Sequence, residues 1–234
     1  MGVRKRVVLL AIGMLIGLIG SGGNQVAASE KSSAYLDPKG FFKISPPSGW
    51  RVQDYPQDPR GKVTFLEPSN QASLRTLTQV VDITDLGEVI QHLRNMEKQV
   101  GSQMNIEPIV FNKMPAVKRN AILTISGVTS KYLWIDFLLD GVQHNLQYSA
   151  EPKLFDKYYP IAWNSMLSYE PLKRKKSSSS EEAKKHEAAK WIRLANISIE
   201  MGKTQAAKQA VAAGLEVDPE NTELKKLKSV LDKK

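Results

Sequence analysis

The 234-residue chain contains no cysteine. This excludes a disulfide, a thiolate nucleophile and a Cys-ligated zinc, and leaves the fold to packing and hydrogen bonds. Histidine is scarce: His92, His144 and His186 stand far apart. Zinc sites draw three or four N, O or S ligands, so no metal site and no cofactor is expected. No phosphate loop, nucleophile elbow or metalloprotease helix occurs, and no catalytic residue can be named. The first 28 residues hold no acid. The apolar run Val7 to Gly20 has 14 residues. That is short of the about 20 needed to cross a bilayer as a helix.

What is present is an uneven charge. The formal net charge is +9. Residues 29–171 carry 15 Lys/Arg and 15 Asp/Glu, whereas residues 172–234 carry 15 and 9. The basic excess therefore belongs to the two ends, and the middle offers nothing to a polyanion. Nucleic acid is not an expected partner.

The amino terminus reads as an address. Arg4, Lys5 and Arg6 precede the apolar run, and Val26-Ala27-Ala28 supplies small residues for cleavage after Ala28. The same pattern also fits an uncleaved anchor. Ser21 stands where a lipoprotein signal would carry its lipidated cysteine, so no lipid can attach there. The expectation is an extracytoplasmic protein: secreted, periplasmic or on the outer face of the cell membrane, with residues 1–28 as signal peptide.

The mature chain divides by pattern. Residues 29–37 are small and polar and read as a lead-in. Phe42 and Ile44, Val63 and Phe65, the span 75–83, and residues 106–111 and 120–127 read as strands. Asp85 and Glu88 fit a helix cap before Leu86, Val89, Ile90, Leu93 and Val100, which share a helical face. Leu133, Ile135, Phe137 and Leu139 alternate before Asp140-Gly141, a strong two-residue hairpin signal. Beyond it Val142, His144, Leu146 and Tyr148 share a face expected to be buried, and Gln143, Asn145 and Gln147 one expected to be wet. Pro152 opens a helix carrying Leu154, Phe155, Tyr158, Ile161, Ala162 and Met166. These elements predict an α+β domain with a mainly antiparallel sheet over 38–170. A basic, Ser-rich linker covers 171–180, and residues 181–234 read as helical.

Two resemblances refine this reading. Gly40-Phe41-Phe42-Lys43-Ile44-Ser45-Pro46-Pro47-Ser48-Gly49-Trp50 resembles the opening of the PsbP-like group, as does the closing helix with Phe155, Tyr158, Trp163 and Ser168-Tyr169. The resemblance implies a Mog1/PsbP-type α/β/α sandwich, with helices on both sides of the sheet, and a binding or assembly role without an active site. In the second, Trp191, Leu194, Ala195, Gly202, Ala207, Val211, Leu215 and Pro219 fall at the spacing of one 34-residue tetratricopeptide (TPR) repeat. Ser198 stands where that family carries Tyr, and Ala195 and Gly214 exchange the small residues of the pattern. A helix over 222–232 would act as a cap. A single repeat cannot cover its own apolar face, because about three are needed for independent stability. It must dock on the first domain, on another subunit or on a partner.

The reading that follows is a non-catalytic binding protein with a TPR-like helical surface. Arg193, Asn196 and Lys203 are its candidate partner-contact residues, and Trp191, Leu194, Ala195, Gly202, Ala207 and Pro219 its structural positions. Partners expected are a protein, a second copy of the chain, and weakly an anionic membrane or wall through Lys173, Arg174, Lys175 and Lys176. The rival reading is a small-ligand or Ca²⁺ module in the sandwich, with oxygen ligands from Asp54 and Asp58 near Arg60. A hydrolase without a recognisable motif is a weaker rival. Asp136 is the nearest carboxylate for a metal or proton role of His144.

Overall fold

The computed structural model describes residues 25–26, 33–81, 85–100, 104–172 and 180–233. Most of the segment read as an export signal and the basic run 173–176 lie outside these residues.

The main sheet contains β1 (Gln25–Val26), β4 (Arg51–Asp54), β5 (Gly61–Leu66), β6 (Ala72–Val80), β7 (Asn105–Phe111), β8 (Met114–Ile125), β9 (Val128–Leu139) and β10 (Val142–Ala150). Its order is β1-β4-β5-β6-β10-β9-β8-β7, antiparallel at every pairing. A small second sheet joins β2 (Tyr35–Leu36), β3 (Phe42–Ile44) and β11 (Glu170–Pro171). The helices are α1 (Leu86–Val100), α2 (Phe155–Leu167), α3 (Ser180–Glu200), α4 (Thr204–Val217) and α5 (Thr222–Leu231). The fold is α+β, with helices on both faces of one antiparallel sheet, as the patterns and the first resemblance implied.

Strands β7 to β10 form a meander whose turns are local chemistry. Asn112-Lys113, Ser126-Gly127 and Asp140-Gly141 each link strands through two residues of positive φ. Positive φ at both central positions matches the twist of the flanking strands. Asp140-Gly141 was expected. Ser126-Gly127 was not, because residues 120–127 read as one uninterrupted strand; the chain reverses there, and Ile125 faces Val128. The lead-in is likewise not wholly irregular. Tyr35–Leu36 pairs with β3, and the Tyr35 hydroxyl donates to Asp54 Oδ1 at 2.9 Å.

One face of the sheet carries Val63, Phe65, Leu74, Ile135, Phe137, Leu146 and Tyr148, all buried beneath α2 and the small sheet. The motif of the first resemblance works here as folding chemistry. Gly49, at φ +75°, delivers Trp50 edge-on to Tyr158 with ring centroids 6.2 Å apart. The Ser165 hydroxyl of α2 donates to the Ser45 carbonyl at 2.5 Å, which pins the proline loop to the helix.

The opposite face over β7–β9 is covered by α1, α3 and α4. Val117, Ala121, Leu123 and Trp134 of the sheet pack with Leu86, Val89, Ile90 and Leu93 of α1 and with Trp191 and Leu194 of α3. The carboxy-terminal helices thus dock on the sheet of the same chain. The polar side of β10 is less wet than its pattern suggested: Gln143 is only 6% exposed. Within this layer Arg119 and Asp136 are both buried, with Nε 2.8 Å from Oδ2. Asn145 donates to the second oxygen of Asp136 at 2.7 Å, and the guanidinium lies 4.6 Å from the Trp134 ring. A buried carboxylate with both oxygens engaged escapes the penalty of an unpaired charge.

In the carboxy-terminal helices, Gly202 turns the chain at φ +69° and Asn221 caps α5 by accepting from the Leu224 N–H. Ser198 is fully buried and donates to the Leu194 carbonyl at 2.7 Å. Gly214 is not an indifferent small residue. A Cβ there would lie 2.9 Å from Trp191 Cβ and 2.8 Å from Leu224 Cδ1. Helix propensity alone favours alanine by about 1 kcal/mol, whereas overpacking costs about 1–3 kcal/mol. Trp191 Cβ is tied to the backbone of α3 and cannot swing aside, so overpacking wins. Gly214→Ala is expected to lower stability by roughly 1 kcal/mol in urea denaturation, and a more stable variant would refute this close approach of α3, α4 and α5.

Candidate functional site

The site is a groove between α1 and α3, and it begins with a helix cap. Asp85 precedes α1, and its Oδ1 accepts from the Gly87 N–H at 2.6 Å, satisfying a donor that the first turn cannot. The same carboxylate receives Arg193 from α3, with Nε 3.1 Å from Oδ1 and 3.0 Å from Oδ2. Gly87 makes room for this crossing: a Cβ there would stand 2.8 Å from Arg193 Nη2. The Arg193 side chain remains half exposed, so the pair contributes under about 1 kcal/mol. Its effect is to fix one end of the groove.

The groove has a volume of about 320 Å³. Its floor is apolar, from Ile90, Ile197 and Met201. Its rim carries both signs, with Glu88 and Glu200 against Arg94 and Arg193. Such a volume lies at the lower end for ligand pockets. It suits one or two apolar side chains flanked by charges better than an extended hydrophobic body.

Of the candidate contact residues, Arg193 lies in this groove but is committed to Asp85. Asn196 and Lys203 are half-buried and do not line it. Trp191, Leu194, Ala195 and Ala207 are buried in the layer beneath the helices, and Pro219 is exposed beyond the end of α4. Sequence reasoning missed the α1 side of the groove. A glycine one residue into a capped helix, where it lowers helix propensity, was the available signal at Gly87.

The rival metal reading meets specific obstacles. Asp58 is held by Arg60 through two bonds of 2.8 Å, which draws its carboxyl down to about 2. Asp54 already accepts from the Tyr35 hydroxyl and from the Tyr55 N–H. His144 and Asp136 do not meet. His144 pairs in register with Phe137, so Asp136 points to the opposite face of the sheet. His144 is 2% exposed, stacks on Phe137 at 4.8 Å and places Nδ1 2.7 Å from the Tyr169 hydroxyl. Burial lowers its pKa to about 3.

No protein-family model matches the chain, and no curated protein matches it. Among solved structures, the chain is similar to cyanobacterial PsbP (CyanoP) from Synechocystis sp. PCC 6803, with 16% identity, a TM-score of 0.45, and 66% of this chain and 99% of that one covered. It is similar to a protein of Bacteroides thetaiotaomicron VPI-5482, with 12% identity, a TM-score of 0.45, and 81% and 80% covered. LpqN, involved in cell envelope biogenesis of Mycobacterium tuberculosis, is similar with 16% identity, a TM-score of 0.35, and 65% and 91% covered.

The histidine carries a pH prediction. Its folded-state pKa lies below the unfolded value near 6.5, so protons bind the unfolded chain more tightly. The stability held above pH 6.5 is therefore lost as pH falls toward 3. Between pH 7 and 5 the wild type is expected to lose about 2 kcal/mol more than His144→Gln does. Parallel losses in urea melts of the two proteins would mean that His144 is not held neutral.

Proposed function

We propose that this chain is a non-catalytic binding protein that works outside the cytoplasm and recognises a protein segment in the groove between α1 and α3. The groove carries the reading: an apolar floor of Ile90, Ile197 and Met201 is ringed by charges of both signs. A short peptide or helix with one or two apolar anchors and mixed flanking charge matches that lining. Anchors buried in a pocket supply affinity, and rim charges set orientation and partner choice. The tetratricopeptide-like spacing of α3 and α4 agrees with a protein-contact role. The expected location rests on the basic, apolar and small-residue order of the first 28 residues.

The test cannot be a truncation, because removing α3–α5 would bare Val117 and Trp134 of the sheet. Photo-crosslinking residues placed at Gln91 and Met201 of the full chain, in cells, are expected to give a discrete adduct. An exposed control position, Lys226, is expected to give none. Introducing Arg193→Glu into the Gln91 probe protein should remove the adduct and leave thermal stability within about 1 kcal/mol. An adduct that survives Arg193→Glu, or its absence at both groove positions, overturns the reading.

A further inference from the structure

Among the described residues, the helices that cover the main sheet on one face stop at β9. The same face over β4, β5, β6 and β10 carries mainly polar side chains, with Leu66 and Leu77 interspersed. Register places them in rows. Gln53 stands opposite Thr64, Thr64 opposite Arg75, Arg75 opposite Gln147, and Gln147 opposite Trp134. One step along, Lys62 lies diagonal to Arg75, and Arg51 stands opposite Leu66 beside it. On this face these four strands present three cations and no carboxylate.

Opposite charges across a strand pair stabilise a sheet, and like charges cost. Here the half-buried Arg75 faces Thr64 and Gln147, with the half-buried Lys62 on the diagonal and no carboxylate at a facing position. Arg75 Nε is buried without a hydrogen-bond partner, as is Arg51 Nε, whose Nη2 donates to Asn70. Arg75 makes no ion pair among the described residues. Lys62 lies 3.9 Å from Asp58, but that carboxylate is held more tightly by Arg60 at 2.8 Å. Burial, and then Arg75, lower the Lys62 pKa. Lys62, Arg75 and Gln147 occupy neighbouring positions on this face. Lys62 Nζ sits 3.8 Å over the Tyr55 ring, and the Tyr55 hydroxyl accepts from Thr64. Gln147 Oε1 accepts from Trp134 Nε1 at 3.1 Å, on the β9 side. The Gln147 amide N–H groups have no partner among the described residues, and Gln147 stands opposite Arg75.

We propose that Arg75, Lys62 and Gln147 form a binding site for an oxyanion, a phosphate or a carboxylate group carried by a ligand. A guanidinium offers two parallel N–H donors that match such a group, and a neighbouring ammonium adds charge without demanding geometry. The bound anion supplies the negative charge that the strands omit. This site lies on different strands from the α1–α3 groove, and neither depends on the other.

The experiment uses the full chain at constant ionic strength set with sodium chloride. Inorganic phosphate and acetate are titrated in separate arms of a thermal-shift assay, since an anion that binds the folded state raises Tm in a saturable way. Co-sedimentation with phosphatidylglycerol vesicles, against phosphatidylcholine vesicles, forms a third arm. A saturable rise with phosphate or acetate, weakened at least tenfold in apparent Kd by Arg75→Gln and retained in Arg94→Gln, is the result expected for a soluble ligand. Sedimentation with the anionic vesicles alone, lost in Arg75→Gln, assigns the same site to a lipid headgroup. Lys62→Gln provides the same comparison should Arg75→Gln fold poorly. The proposal is overturned if no arm responds beyond chloride, or if the Arg75 and Lys62 variants respond like the wild type.

Discussion

The architecture depends on two apolar surfaces that neither owner can cover by itself. The meander β7–β10 is buried on one face by α2 and the small sheet, and its other face over β7–β9 still presents Val117, Ala121, Leu123 and Trp134. The helical hairpin α3–α4 presents Trp191, Leu194 and Val211 to the same core cluster. Each is the other's solution. Burying apolar area contributes about 25 cal/mol per Å², so mutual coverage outweighs the ordering cost of a helical pair that would be marginal alone.

Three consequences follow from that docking. A charge that reaches under the helices must be paired, and Arg119 Nε and Asn145 between them engage both oxygens of Asp136 there. The apolar faces of α3 and α4 are spent inside the molecule, so contact with anything else falls to their outer sides and edges. One such edge meets α1, where Asp85 serves two masters: it caps one helix and receives Arg193 from another. The groove beside it exists because two helices from distant parts of the chain were drawn to the same strands.

Where the helices end, the sheet has a different character. Over β4–β6 and β10 the same face is lined by Arg51, Lys62, Arg75 and glutamines, with no carboxylate among the strand positions. One sheet therefore carries an apolar half that a helical layer covers and a cationic half that the described helices leave uncovered. The two halves meet at Trp134, which packs under the helices and donates to Gln147 on the cationic side.

Much of the fold was legible in local sequence. The period-2 alternation around Asp140-Gly141, the 3.6 period of α1 and the turn residues Gly49 and Gly202 dictate their elements within a few residues, since backbone sterics and side-chain alternation act locally. The burial of His144 was legible for the same reason, as it alternates with Leu146 and Tyr148. The Ser126-Gly127 reversal was visible as turn chemistry but masked by flanking strand formers. What the sequence could not determine was which surfaces meet. The commitment of Arg193 to Asp85, the separation of His144 from Asp136 onto opposite faces, and the neighbouring placement of Lys62, Arg75 and Gln147 were each set by helix docking or strand register across the chain. Pairing register and helix docking are choices among apolar surfaces of similar worth, and only the tertiary fold, by burying all of them at once, decides between them.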